Sequence, residues 1–172
     1  KVVRNAINTD VFKPTPSDFR ERHGLGNRFV VLGVASKWSE RKGLTEFVRL
    51  AKELDPELFA VVVVGLSQKQ MKQAMSEAPS IVALPRTNSM EELAGIYTAS
   101  DVLLNPSAEE TFGMNVAEAA ACGTGAVVVE GSACAEVADP EKTAMVPASL
   151  EGLSEAVVSM VESMTIGRLA CK

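Results

Sequence analysis

Apolar, β-branched runs alternate along the chain with stretches whose apolar residues recur at helical spacing, which predicts a parallel sheet with helices on both faces. Six strands are predicted, at 29–35, 59–65, 81–84, 102–104, 126–129 and 144–146. The predicted helices lie at 43–54, 68–77, 90–99, 114–122, 133–137 and 150–164. Leu44, Phe47, Val48, Ala51 and Leu54 share one side of the first of these helices, with Glu46, Arg49, Lys52 and Glu53 opposite, so it packs on the sheet by a single stripe. Val61-Val62-Val63-Val64 shows no polar alternation, which predicts a strand covered on both faces and central in the sheet. Lys13-Pro14-Thr15-Pro16-Ser17-Asp18 reads as a linker into a short helix before the first core strand. The expected fold is α/β and Rossmann-like, with residues 1–28 as leading segment and linker and 29–172 as the domain proper. Val2-Val3 reads as mid-strand and 166–172 closes without a turn, as in a piece of a longer protein.

A chain of 172 residues that is 47% apolar can bury one sizeable core, and no internal repeat divides it. Its 17 Lys+Arg against 22 Asp+Glu give a net charge of -5, which argues against a nucleic-acid partner or a lipid surface held by general basic charge. Any anion must be gripped locally. The longest apolar run, 58–64, is too short for a bilayer and the N-terminus is unlike a signal peptide, so a soluble cytoplasmic protein is expected. Cys122, Cys134 and Cys171 lack CxxC spacing and only one histidine accompanies them, so structural thiols are expected and neither a disulfide frame nor a metal site.

Ligands of an open parallel sheet sit outside the carboxyl ends of its strands, beside helix N-termini. The loop after the first strand, Ser36-Lys37-Trp38-Ser39-Glu40-Arg41-Lys42-Gly43, carries three cations ahead of a helix; it holds a phosphate or is a solvated basic turn. Trp38 lines a pocket there or packs on the neighbouring helix. The loop after the fourth strand runs from Asn105 and Pro106 through Glu110-Thr111-Phe112-Gly113-Met114 into an Ala-rich helix that Gly123 ends. Free N–H groups near Phe112–Met114, with Gly113 removing side-chain bulk, form an anion site that needs no net positive charge. Glu118 lies one turn beyond Met114 on the same face, and Glu110 approaches from the loop. Carboxylates beside an anion site suit hydrogen bonds from ribose and sugar hydroxyls, which suggests a nucleotide sugar; a solvent-facing acid near the helix start is the plainer alternative for Glu118. His23 reads as a surface loop residue, and Met71 and Met75 as core or groove filling.

The stretch Glu110-Thr111-Phe112-Gly113-Met114-Asn115-Val116-Ala117-Glu118-Ala119 resembles the paired glutamates, with their Phe-Gly step, of glycosyltransferase family four, retaining enzymes of GT-B architecture. Ser100-Asp101-Val102-Leu103-Leu104-Asn105-Pro106-Ser107, Ala121-Cys122-Gly123-Thr124, Asn5-Ala6-Ile7-Asn8-Thr9-Asp10-Val11-Phe12 and Arg41-Lys42-Gly43 are similar to flanking family segments, so the resemblance covers nearly the whole chain. It implies the donor-binding half of a GT-B enzyme that transfers a hexosyl unit, with retention and without metal or other cofactor, to a saccharide or lipid-linked acceptor. That acceptor would be held by an absent N-terminal domain, with at most peripheral membrane contact in the full-length protein, and the isolated piece would be inactive.

Carried over by position, Lys42 contacts the diphosphate and Glu110 the sugar hydroxyls, these two being the catalytic candidates. Thr111, Phe112, Gly113 and Met114 belong to the donor site, the last three presenting N–H groups; Glu118 takes the ribose, and Leu84-Pro85-Arg86 packs the base. The family usually has an arginine five or six residues before the lysine, where this chain has Lys37 and Ser36; Lys37 substitutes or that contact is lost. Gly125 stands where proline is commoner. Two other readings remain. A nicotinamide-dependent oxidoreductase would share the topology, but Gly33-Val34-Ala35-Ser36 is no GxGxxG and no P-loop occurs. A non-catalytic nucleotide-sugar-binding module is the other.

Overall fold

The computed structural model describes residues 6–107 and 109–170, with side chains through Glu162. Val2-Val3, Asn5, Ala108 and Cys171 lie outside the described residues. Strands β1 (Phe29–Val34), β2 (Phe59–Val64), β3 (Val82–Leu84), β4 (Val102–Asn105), β5 (Gly125–Val129) and β6 (Thr143–Val146) form one parallel sheet in the order β3-β2-β1-β4-β5-β6. Helices α1 (Phe19–Arg22), α2 (Leu44–Glu53), α3 (Gln68–Glu77), α4 (Met90–Ala99), α5 (Met114–Ala121), α6 (Ala133–Val137) and α7 (Leu153–Ala170) cover it. The Rossmann-like architecture expected from the alternation is present, including the short helix after the prolines.

Successive strand residues face opposite sides of a sheet, and the valine runs therefore feed two cores. Val31, Val61, Val63, Val102 and Leu104 pack with Phe47, Leu50, Ala74, Leu153 and Val157 of α2, α3 and α7. Val30, Leu32, Val62, Val64 and Leu103 pack on the other side with Phe19, Tyr97, Val116, Ala119 and Cys134 of α1, α4, α5 and α6. Each fully buried Val, Leu or Phe contributes roughly 1.5–3 kcal/mol. The hydropathy of β2 was enough to predict cover on both faces, but its position is corrected: it lies between β3 and β1, second from the edge, while β1 and β4 hold the middle. A fully apolar strand reports that both faces are covered and says nothing of how many strands lie beyond it. Met75 is also corrected, being 52% exposed, whereas Met71 packs against the first core.

After β3 the chain crosses back past β1 and β2 through α4, so that β4 pairs with β1 on its free side. That reversal of strand order opens a crevice at the carboxyl ends of β1 and β4, the usual ligand position in such sheets. Below it, at the opposite ends of the strands, Asp101 is buried, accepts the Val30 N–H at 2.8 Å and pairs with Arg20.

Candidate functional site

Two loops meet over the reversal. The loop after β1 is anchored by Trp38, which is 6% exposed, stands edge-on to Phe47 at 5.4 Å, and donates its indole N–H to the Val64 carbonyl at 2.8 Å. Of the two roles open to Trp38, packing is the one it takes. Beyond it a 3-10 turn, Glu40–Lys42, ends at Gly43, whose φ of 74° starts α2. A side chain at Gly43 would strike the Pro106 ring, so the two loops touch here and glycine is required on both grounds.

The loop after β4 is fixed by amide side chains. Asn105 accepts the Ser107 N–H at 3.1 Å and donates to Asn115 Oδ1 at 3.1 Å, while Asn115 donates to the Val34 carbonyl at 3.1 Å. The first turn of α5 is thereby tied to the ends of both middle strands. Its N-cap, Gly113, has φ 79° and supplies no side-chain capping bond, which leaves the leading N–H groups for a ligand. Gly113 does not open space for a ligand as its sequence context suggests, because an added Cβ would lie 2.7 Å from Cys134 Sγ. The space that glycine clears is taken by α6, and the left-handed φ is its second requirement.

A cavity of about 500 Å³ occupies the crevice. Lys42 and Ser36 line it from the first loop, Arg86 and Ser89 from the β3–α4 connection, and Glu110, Thr111, Phe112, Gly113, Met114, Asn115 and Glu118 from the second loop and α5. Two candidates lie outside this lining. Lys37 is exposed beside the buried Trp38, which draws that part of the loop towards α2 and α3. Leu84 packs against the second core, and its carbonyl accepts the N–H groups of Gly65 and Leu66 at 3.1 and 3.0 Å. Arg86, two residues further on, does reach the cavity.

The charges pair across the two loops. Lys42 bonds Glu110, their side chains 36% and 14% exposed, and Arg41 pairs with Glu109 further out. Glu118, half-buried on α5, accepts a hydrogen bond from the Tyr97 hydroxyl at 2.9 Å. Burial pushes the Glu118 carboxyl above its ordinary range while the Tyr97 donor works the other way. Burial, and next the nearby Glu118 charge, raise the Tyr97 phenol well above its usual value. Cys134 is pushed up to about 11, first by burial and then by the Glu110 charge, so it is a neutral thiol at pH 7. Cys122 is raised by burial too. Both are buried and free, as structural thiols should be. Among the described residues no three His, Cys, Asp or Glu side chains gather as a metal site. His23 caps α1, its ring 4.5 Å from Phe19 and outside the cavity lining.

Sequence reasoning missed Tyr97 and Asn115. Asn115 lay inside the quoted motif, but nothing distinguished its amide from a solvated one. Tyr97 is the only tyrosine in the chain and falls on an apolar helix face, where hydropathy alone classes it as core.

A family model for glycosyl transferases group 1 matches residues 27–163. The chain is similar to the alpha-galactosylglucosyldiacylglycerol synthase of Streptococcus pneumoniae, 33% identical over 132 residues covering 70% of this chain and 35% of that protein. It is similar also to the D-inositol 3-phosphate glycosyltransferase of Stackebrandtia nassauensis, 34% identical over 154 residues, covering 77% of this chain and 34% of that protein. The chain thus spans about a third of the length of these relatives. In fold it matches HepE of Anabaena in complex with UDP and glucose, with TM-score 0.79 and 20% identity over 96% of this chain and 48% of that one. The C-terminal domain of a glycosyl transferase group 1 family protein (LpcC) from Francisella tularensis gives TM-score 0.70 and 20% identity over 91% and 88% of the two chains.

Proposed function

We propose, from the premise that the chain belongs to the glycosyl transferases group 1 family and has the Rossmann-like fold of GT-B enzymes, that its cavity binds the nucleotide-sugar donor of a retaining hexosyl transfer. The observation that carries this is the convergence, in one crevice, of Lys42, the uncapped start of α5 at Gly113 and the two carboxylates Glu110 and Glu118. Lys42 and the α5 N-terminus stabilise the charge that grows on the departing diphosphate, without a metal. Thr111, Phe112, Gly113 and Met114 frame the phosphates and the sugar, and Arg86 flanks the base. Glu118 accepts from the ribose hydroxyls and Glu110 from the transferred sugar. Because Lys42 and Glu110 pair with each other, a diphosphate that takes Lys42 frees Glu110 for the sugar.

The UDP-glucose complex of HepE supports a nucleotide sugar as ligand, and family membership displaces the nicotinamide-dependent alternative. A saccharide or lipid-linked acceptor is proposed at the level of class only: the name of the pneumococcal relative, a glycolipid synthase, supports the lipid-linked reading, while the inositol 3-phosphate in the other relative's name is neither saccharide nor lipid. Among the described residues no helix is long and apolar enough to cross a membrane, and contact with one is proposed as peripheral. Calorimetry of the 172-residue chain with UDP, GDP and ADP sugars in EDTA tests the proposal. Binding of one nucleotide class without turnover is expected; binding only with added Mg²⁺, or preference for NAD, would overturn it.

A further inference from the structure

We propose that Tyr97 is a positioning residue for the donor: its hydroxyl holds one oxygen of Glu118 and presents the other to the ribose diol. The proposal rests on the assignment of Glu118 to the ribose given above. Tyr97 has no measurable exposure, and a ring buried for packing alone would be served by phenylalanine. Its hydroxyl needs a partner there, and the partner is Glu118 Oε2 at 2.9 Å, on a residue that lines the cavity. The ring is fixed from behind. Phe12 stands edge-on to it at 6.2 Å, and the Tyr97 carbonyl accepts Thr124 Oγ1–H at 2.7 Å and the Ser100 N–H at 2.9 Å. The donor is thus held by α4, by the turn after α5 and by the leading segment, while its acceptor sits on α5.

The contact also changes what Glu118 can do. Burial of the carboxyl favours its protonated form, which is the weaker acceptor for a diol, and the phenolic donor opposes that tendency. Tyr97 on α4 and Cys122, just past the end of α5, are the titratable groups that interact with it, and Lys42, Arg86 and Glu110 line the same cavity from the neighbouring loops.

The test compares UDP and GDP with their 2′,3′-dideoxy counterparts by calorimetry across pH, for the parent chain, Tyr97→Phe and Glu118→Gln. Tyr97→Phe keeps the ring, and should reduce the preference for the diol by about tenfold while leaving dideoxy affinity unchanged. The pH below which the diol preference disappears should move upward in this variant, because the donor that lowers the Glu118 pKa is gone. Loss of the preference in Glu118→Gln with none in Tyr97→Phe, and no pH displacement, overturns the role of Tyr97 and leaves the donor site standing. No effect of Glu118→Gln on the preference overturns both. Should Tyr97→Phe not fold, fluorotyrosine incorporated at this single tyrosine gives a second reading. Its ¹⁹F resonance should shift with the diol nucleotide and not with the dideoxy one, and equal response to both overturns the proposal.

Discussion

Arg20–Asp101 and Lys42–Glu110, ion pairs at opposite ends of the middle strands, are built for opposite purposes. At the amino ends, Arg20 bonds Asp101 and also spends its guanidinium on the carbonyls of Ala99, Gly26 and Arg28, at 2.7, 3.2 and 2.8 Å. Asp101 is 4% exposed and additionally receives the Val30 N–H. With so many bonds to backbone already made, this pair is a fastener between α1, β1 and the turn before β4. At the carboxyl ends, Lys42 bonds Glu110 across two loops at the mouth of a cavity. Its lysine is a flexible point charge that a phosphate can take over with little geometric penalty. A pair saturated by backbone partners reads as architecture; one that bridges loops over a cavity reads as a site whose charges are exchanged on binding.

Breaking the fastener should have the largest effect. Asp101→Ala leaves the Val30 N–H buried without its partner, and should cost about 3 kcal/mol of stability, the lower end of the range for broken buried pairs because Arg20 is 30% exposed. Urea unfolding measures it, and a loss below about 1 kcal/mol would make the two pairs equivalent after all. Lys42→Ala should do the reverse. Melting should fall less than in Asp101→Ala, since Glu110 is left facing the open cavity and no buried backbone N–H loses its acceptor, while nucleoside diphosphate affinity should fall by roughly 1.5–3 kcal/mol and nucleoside affinity hold. Equal loss for nucleoside and diphosphate would show Lys42 acting through the fold.

The two glutamates sharpen the contrast within the cavity. Glu118→Ala should cost on the order of 1–3 kcal/mol for nucleotide and nucleotide sugar alike, whereas Glu110→Ala should remove only the extra affinity that the sugar confers. Identical effects of both variants on both ligands would mark the pair as structural. Glu118 should also reveal its function as a stability cost. Its folded-state pKa is raised, so its contribution to stability is present below the unfolded value and is lost as pH rises through the folded one. Glu118→Gln should therefore melt higher than the parent near pH 7, with the gap closing towards about pH 4, and a gap independent of pH would rule out this origin. The smallest effect belongs to Cys134. With its pKa pushed up to about 11, its alkylation in a background with Cys122 and Cys171 both replaced by serine should be slow at pH 7 and remain slow when Lys42→Ala is added.

Much of this could be read from residues in order. The valine runs of β1 and β2 and the stripe on α2 announced the layered sheet, because burial demand recurs with the period of each element. The glutamate pair with its Phe-Gly step located the second loop, Pro106 marked the end of the strand before it and Gly123 the end of the helix after it. Position within the sheet was beyond such reasoning, as β2 shows. Loop direction was as well: Lys37 and Trp38 are neighbours in sequence, yet one is exposed and the other buried under two helices, a difference made by the Val64 carbonyl and Phe47.

By itself the sequence determined the kinds of element, their order and the chemical groups held in each loop, since these depend on local propensity and on the spacing of apolar residues. The tertiary structure decided which groups meet. Lys42 and Glu110 are separated by 68 positions and Tyr97 and Glu118 by 21, and both contacts exist because the crossover through α4 sets β4 beside β1. No local pattern encodes that crossover. It follows from burying both faces of the whole sheet at once, a condition met only when every helix has found its side.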